Sequence, residues 1–245
     1  PFILIDDPVR VARLADDLGL DVPVEVISGA GDAAATFSDA LPVLSQSLPK
    51  DARPGEPDPE NASAVIAAIE RAVELVQNGE AVAVVTNPIH KHCMAKGGFK
   101  HLGHTDFLGQ LAGVPARPVM MLAADELRVV PVTIHVGLRQ AVADLKREDI
   151  VATGIVVDAA LRRDFAIDRP RLAVAGLNPH AGEDGILGDE EREIIAPAVT
   201  ELRDAGIDVF GPVAADTLFH AAARDRYDAA LCMYHDQALI PIKTI

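Results

Sequence analysis

Cysteine is scarce in this sequence: only Cys93 and Cys232 occur in 245 residues, far apart and in no CxxC pair. Such spacing excludes a disulfide framework and fits a reducing compartment, so we expect a cytoplasmic protein. Long hydrophobic runs are also missing, since no stretch approaches the roughly 18 apolar residues of a membrane helix. The N-terminal residues PFILIDDPVR lack the charged leader that precedes the apolar run of a signal peptide. We therefore expect neither a membrane span nor a signal peptide.

Positive charge is in short supply, because 22 Lys and Arg face 37 Asp and Glu and give a formal net charge of −15. Nucleic-acid-binding proteins carry a basic patch or stripe, so a nucleic-acid partner is not expected. An acidic chain still binds an anionic ligand where a few cations are focused. The candidates for this are Lys91, Lys96, Lys100 and Arg139.

Short apolar runs alternate with longer amphipathic ones, which is typical of an α/β protein with a largely parallel sheet. Brevity and β-branched residues favour strands at 22–27, 81–86, 118–122, 128–135, 171–177 and 229–234. Apolar residues spaced three and four apart predict helices at 61–77, 147–161 and 189–205. The proline-rich segment 48–59 is predicted to be a surface loop.

A glycine pattern follows the first predicted strand. Residues 29–34 (GAGDAA) match the G-x-G-x-x-A fingerprint of dinucleotide-binding folds. A genuine fingerprint opens a helix and is followed by a second strand that ends in an acidic residue. The chain continues instead through Ser38, Pro42 and Ser45 into the proline-rich segment. We interpret residues 29–34 as a turn of small residues after an edge strand.

Polar residues cluster at four points where a predicted strand ends. They are TNPIHK (86–91) with GHTD (103–106), His135 in IHVGLR, LNPHAGE (177–183) and YHDQ (234–237). Because α/β folds bind ligands beyond the carboxyl ends of their strands, these loops are candidate site elements. GHTD also precedes a predicted helix at 107–113. Thr105 is then the cap of this helix, or, as the alternative, His104 and the free N–H groups there hold an anion.

Three of the histidines, His135, His180 and His235, stand at the ends of separate predicted strands. Neutral imidazole is a preferred ligand of zinc and its neighbours, and three protein ligands leave positions open for substrate. Structural histidines that form hydrogen bonds are the alternative. No local signature of the HExxH type is present, so the residues alone leave both interpretations open.

Ordered sequence blocks give a more specific indication. They are TNPIHK, GHTDF, IHVGLR, LNPHAGEDG, GPVAADTLF and MYHDQALIPIK, which run from Thr86 to Lys243. In these blocks and in the spacing of its histidines, the chain resembles the 4-hydroxythreonine-4-phosphate dehydrogenase family of vitamin B6 synthesis. The residues before Thr86 add little beyond a compatible pattern.

The resemblance implies a fold similar to isocitrate and isopropylmalate dehydrogenases, with two α/β/α subdomains around a cleft. Residues 1–245 would then form one two-lobed catalytic unit. Family members usually begin with a strand and a GDPAGIGPE-like block, and they continue past Lys243 into a GxNVTLGLPFxRTS-like block. We therefore expect this chain to lack the family's first strand and its C-terminal segment.

The same resemblance implies a set of site residues. His135, His180 and His235 would be ligands of a divalent metal, either zinc, magnesium or cobalt. The other residues with an implied role are His104 and Thr105 at the substrate phosphate, Lys243 at the substrate and in catalysis, Asp236 in catalysis, and Asp216 at the cofactor. The cofactor would be NAD or NADP, bound without a Rossmann fingerprint, and the enzyme would be a homodimer with its active site near the interface.

The implied reaction oxidises 4-phosphohydroxy-L-threonine to a β-keto acid, which loses carbon dioxide to give 3-amino-2-oxopropyl phosphate. Relatives with similar blocks oxidise D-threonate or D-erythronate 4-phosphate, or a cyclic dihydrodiol of terephthalate. An inactive fragment or paralogue that retains metal binding is a further alternative. A phosphotransacetylase-like acyl transferase is disfavoured, because it would leave the three strand-end histidines without a role.

Overall fold

The structure is a computed structural model that describes residues 1–101, 103–113 and 118–245. The chain divides into two compact units, unit 1 from Pro1 to Pro118 and unit 2 from Val119 to Ile245. No helix within the described ranges is long and apolar enough to cross a membrane.

Unit 1 contains a small parallel sheet with helices packed against it. Its strands are β1 (Leu4–Asp6), β2 (Val24–Ile27) and β3 (Leu41–Ser45), in the order β1-β3-β2. Its helices are α1 (Pro8–Asp17), α2 (Ala33–Thr36), α3 (Ala62–Gln77), α4 (Lys91–Lys96) and α5 (His104–Leu111). Helix α3 confirms the prediction for 61–77. It buries Ile69, Val73 and Leu75 and ends before Gly79, whose φ of 74° favours glycine.

Two predictions in unit 1 have definite outcomes. The GAGDAA segment forms a turn and the short helix α2 after β2, an edge strand, as predicted. The predicted strand at 81–86 is wrong: this segment pairs with no described strand, and Val82 and Val85 are 101% and 96% exposed. A strand exists only with a neighbour to share its hydrogen bonds, and none is present for 81–86 among the described residues.

Unit 2 is built around a five-stranded sheet in the order β4-β5-β8-β6-β7. Its strands are β4 (Leu122–Ala123), β5 (Arg128–Pro131), β6 (Arg171–Ala175), β7 (Asp208–Val213) and β8 (Ala229–Cys232). Its helices are α6 (Leu138–Asp144), α7 (Arg147–Asp164), α8 (Ala196–Asp204), α9 (Ala221–Arg224) and α10 (His235–Thr244). Strands β5, β8, β6 and β7 are parallel, and β4 pairs antiparallel with β5 at the edge.

Alternating side chains of these strands form two apolar clusters, one on each face of the sheet. Leu172, Val174 and Leu231 belong to the cluster that includes residues of α7 and α8. Ala173 and Cys232 belong to the cluster that includes Ala238 of α10. Unit 2 is therefore an α/β/α layer structure, which confirms the α/β class for this part of the chain.

Three strand predictions in unit 2 are confirmed with shorter bounds, those at 128–135, 171–177 and 229–234. The prediction at 118–122 is largely wrong, because only its last residue is in β4. Strands β1, β3 and β7 were not predicted. The predicted helix at 189–205 is confirmed, and its first turn (Glu191–Ile195) is π-helical before α8 begins.

The stability of helix α1 in unit 1 is expected to depend on pH. The Asp7 carboxylate accepts hydrogen bonds from the N–H groups of Val9 and Arg10 at the helix start and of Leu48 across the unit. These bonds, that of Leu48 first, hold the pKa of Asp7 below its ordinary value against the opposing effect of burial. The carboxylate therefore contributes stability at neutral pH, and this contribution is lost as the pH falls through the lowered pKa.

We expect Asp7→Ala to destabilise α1 by about 1 kcal/mol at pH 7, the usual cost of losing a helix cap. The difference from wild type should shrink as the pH falls below about 4. Asp7→Asn should keep most of the cap and lose the pH dependence. Hydrogen exchange of peptides from Pro8–Asp17 in increasing urea measures both effects. Equal stability of Asp7→Ala and wild type at pH 7 would contradict the prediction.

Candidate active site

The carboxyl ends of the parallel strands of unit 2 meet at one edge of the sheet, and four loops leave from there. They follow β5, β6, β7 and β8 and include His135, the segment Pro179–Gly185, the turn Ala215–Thr217 and His235. Pro179–Gly185 packs against both Ala215–Thr217 and the π-helical turn Glu191–Ile195. The predicted clusters at 135, 177–183 and 234–237 thus lie at one edge.

His135 and His235 lie side by side, with ring centroids 5.7 Å apart and ring planes inclined by 46°. Strands β5 and β8 are neighbours, and their pairing continues beyond the strands. The N–H of Val132 donates to the carbonyl of Cys232 at 2.8 Å, and the Thr133 hydroxyl donates to the carbonyl of Met233 at 2.8 Å. These bonds keep the segments that follow β5 and β8 side by side as far as residues 133 and 233. The pairing of the two strands therefore places His135 next to His235.

Asp236 orients one ring of this pair. The Nδ1 atom of His235 lies 2.6 Å from Oδ1 of Asp236, and since a carboxylate accepts, the ring nitrogen donates. A hydrogen bond at Nδ1 fixes the tautomer and leaves Nε2 as the coordinating atom. Metal-binding histidines are commonly oriented in this way, by a carboxylate that accepts a hydrogen bond from the ring nitrogen that does not bind the metal.

The loop that carries His180 has unusual backbone geometry. Residues 180–185 all have positive φ, from 45° at Glu183 to 94° at Gly185. A left-handed conformation costs an L-residue about 1–2 kcal/mol, and only two of these six residues are glycines. His135 also has a positive φ, of 54°. Backbone strain of this kind persists only where the surrounding structure enforces it, and it clusters at functional sites.

The three-histidine metal site stays a prediction in this structure. Two imidazoles side by side suit zinc or a similar ion. Across residues 1–101, 103–113 and 118–245, however, no three His, Cys, Asp or Glu side chains are placed to hold one metal ion. The donor chemistry fits at His135 and His235, and His180 stands exposed on a neighbouring loop of the same edge.

Two buried side chains fix the strand-end loops. The Glu191 carboxylate, 5% exposed, accepts hydrogen bonds from the N–H groups of Leu177 and Asn178 and from the Asn178 side-chain amide. The Gln237 amide, 7% exposed, accepts from Met233 N at 2.6 Å and donates to the carbonyl of Gly176 at 2.6 Å. Sequence reasoning gave neither residue a role, although Gln237 lies in the YHDQ cluster.

Two other site residues were predicted in unit 2, Asp216 and Lys243, and they lie on different elements. Asp216 is exposed in the turn after β7, beside the loop that carries His180. Lys243 is exposed in the last turn of α10, about 12 Å along the helix axis from His235. Within the described residues Lys243 makes no hydrogen bond or ion pair, and the structure does not bring it to the histidine pair.

The predicted anion site in unit 1 lies at the start of α5. Gly103 is the N-terminal cap, so the alternative that Thr105 caps this helix is wrong. His104 and Thr105 occupy the first turn, where N–H groups and the helix dipole favour an anion. Lys91, Lys96 and Lys100 are exposed. The strand expected before residues 86–91 is absent, so this cluster does not follow a strand end.

Comparison with known proteins identifies the family. The model of the family described as "Pyridoxal phosphate biosynthetic protein PdxA" matches residues 1–245. The chain belongs to this family. It is 52% identical to a 4-hydroxythreonine-4-phosphate dehydrogenase of Bradyrhizobium diazoefficiens, an alignment that covers 100% of this chain and 74% of that protein.

Solved structures agree with this family assignment. The crystal structure of the 4-hydroxythreonine-4-phosphate dehydrogenase from Klebsiella pneumoniae superimposes with a TM-score of 0.89 at 34% identity, covering 100% of this chain and 75% of that one. The chain has the family's α/β fold of the isocitrate and isopropylmalate dehydrogenase type, as the resemblance implied. A terephthalate 1,2-cis-dihydrodiol dehydrogenase from Burkholderia xenovorans shares the fold alone, with a TM-score of 0.67 at 24% identity over 99% of this chain and 82% of that one.

Proposed function

We propose that this chain catalyses the NAD-linked oxidation of 4-phosphohydroxy-L-threonine, followed by decarboxylation to 3-amino-2-oxopropyl phosphate, in pyridoxal phosphate biosynthesis. The similarity to enzymes named for this substrate supports the reaction class. The observation that carries the proposal is the His135–His235 pair at the carboxyl edge of the unit 2 sheet.

The reaction needs two consecutive steps at one carbon skeleton. The hydroxyl at C3 gives up its proton and C3 passes a hydride to the nicotinamide ring, which forms a ketone. The product is a β-keto acid, which loses carbon dioxide, and the carbon left behind takes up a proton. The site must therefore hold the hydroxyl oxygen, orient the C–H bond towards the cofactor and support negative charge on the same oxygen.

A divalent metal at the histidines would supply this support, by lowering the pKa of the hydroxyl and stabilising the enolate. We propose His135, His235 and His180 as its ligands, with Asp236 orienting His235. Imidazole nitrogens favour zinc or cobalt over magnesium, which prefers oxygen ligands. The partly exposed rings leave room for a substrate beside them.

The remaining assignments concern the ends of the substrate and the cofactor. His104 and Thr105, in the first turn of α5, suit the substrate phosphate, because N–H groups there attract anions. Lys243 suits the substrate carboxylate or proton handling, and Asp216 suits the cofactor, either NAD or NADP. We further propose a cytoplasmic homodimer with its active site near the interface.

The direct test is NADH formation from 4-phosphohydroxy-L-threonine, before and after a chelator and with zinc, cobalt or magnesium added back. We expect activity that the chelator removes and that zinc or cobalt restores. D-Erythronate 4-phosphate and a terephthalate dihydrodiol serve as competing substrates. Higher kcat/KM for either would reassign the substrate. No turnover of all three by a protein that binds metal would favour the inactive paralogue.

A further inference from the structure

The loop that carries His180 adopts its left-handed geometry over an ionisable side chain that no proposed step uses. Glu191 lies in the π-helical turn Glu191–Ile195, which precedes α8 and is anchored by Ile195, 0% exposed in the core. From this fixed base its carboxylate reaches the start of the loop. There Oε1 accepts from Leu177 N and Asn178 N, each at 2.7 Å, and Oε2 accepts from the Asn178 amide at 2.9 Å.

The middle of the loop also rests on this carboxylate. A Cβ atom added at Gly182 would lie 2.7 Å from Oε2 of Glu191, and one added at Gly176 would lie 3.2 Å from Oε1. Only glycine allows the backbone to approach this closely. The carboxylate thus contacts the chain both before and after His180, in a segment whose backbone conformation is intrinsically unfavourable.

We propose that Glu191 is a positioning residue, which holds the Asn178–Gly185 loop in its left-handed conformation and so determines where the His180 imidazole stands. This inference rests on the proposed function, because it gives His180 its importance. Glu191 itself touches neither metal nor substrate. Its carboxylate acts through the three hydrogen bonds to Leu177 and Asn178, so its removal releases the loop while His135 and His235 stay in place.

The test compares Glu191→Ala with Glu191→Gln and two controls. Glu193→Ala removes an exposed carboxylate from the same helical turn, and Leu161→Ala destabilises the core of unit 2 at a fully buried residue of α7 that forms no hydrogen bond to the loop. Two readouts are needed. The first is hydrogen exchange of peptides spanning 177–188 in the metal-free protein. The second is Co²⁺ affinity with the absorption spectrum of the bound ion.

We expect Glu191→Ala to speed exchange of the loop and to weaken Co²⁺ binding about 10- to 100-fold, as losses behind a metal ligand do. Glu191→Gln should recover most of this, since its carbonyl oxygen still accepts from both backbone N–H groups. Glu193→Ala and Leu161→Ala should bind Co²⁺ like wild type while folded. Wild-type exchange and affinity in Glu191→Ala would overturn the proposal, as would an equal loss of affinity in Leu161→Ala.

Failure of the proposed function would look different. A wild-type protein that binds no Co²⁺ would overturn the metal site. The exchange of Glu191→Ala against Glu193→Ala would still decide whether Glu191 holds the loop.

Discussion

Replacing His235 with alanine is expected to lower kcat/KM for 4-phosphohydroxy-L-threonine at least about 100-fold. Residues behind a metal ligand typically cost 10- to 100-fold when they are lost, so loss of His235, a ligand in the proposed metal site, should reach at least the upper end of that range. The His235 side chain is about one-third exposed and packs into neither core cluster, so folding should be unaffected. Steady-state kinetics on metal-saturated protein, with circular dichroism for folding, measures the effect.

The contact between His135 and His235 allows a second test of the same role, with a variant of His135 and a double variant. His135→Ala should show a similar loss, and the double variant should be little worse than either single one, because residues that act as a unit are not additive. His92→Ala is the matched control, since it removes an exposed histidine of α4 in unit 1. A loss below tenfold in His235→Ala, or one equal to that of His92→Ala, would refute the role of the pair.

The sequence predicts strands well where they are buried on both faces and flanked by turn residues. The runs at 171–177 and 229–234 become β6 and β8, whose core residues are fully buried. Strands β3 and β7 escape prediction because Pro42 and Pro212 lie within them, and proline normally argues against a strand. The error at 81–86 is the opposite one, since a strand-like run stays unpaired. Pairing depends on neighbours that a local pattern does not specify.

The candidate site, like the fold, is predicted by the sequence only in part. The sequence shows histidines at the ends of predicted strands. Because the carboxyl ends of parallel strands meet at one edge of a sheet, it also predicts that these histidines lie near one another. That β8 lies between β5 and β6, and so brings His235 beside His135, follows from sheet order, which chain order does not reveal. The roles of Glu191 and Gln237 could not be predicted from the sequence. Each depends on hydrogen bonds to backbone groups that only the folded chain brings together.

Replacing Gln237 with leucine is expected to destabilise unit 2 by about 2–6 kcal/mol. Its amide closes two bonds at once, from Met233 N after β8 and to the carbonyl of Gly176 after β6. Leucine fills the space but leaves both backbone groups buried without partners, at about 1–3 kcal/mol each. Tyr227 and Tyr234 are the only tyrosines, and no tryptophan occurs, so tyrosine fluorescence during urea unfolding reports on unit 2.

The matched control is Gln140→Leu, because Gln140 is an exposed glutamine of α6 that bonds only to Asp144 in the described part of the chain. It should change stability by no more than about 0.5 kcal/mol. Gln237→Glu should fall between the two, since it keeps an acceptor for Met233 N and places an oxygen against the Gly176 carbonyl. A Gln237→Leu protein as stable as Gln140→Leu would mean that the loops after β6 and β8 hold their places without this bridge. The alignment of the His180 and His235 loops would then depend on backbone pairing and on the bonds that Glu190 and Glu191 accept from the loop.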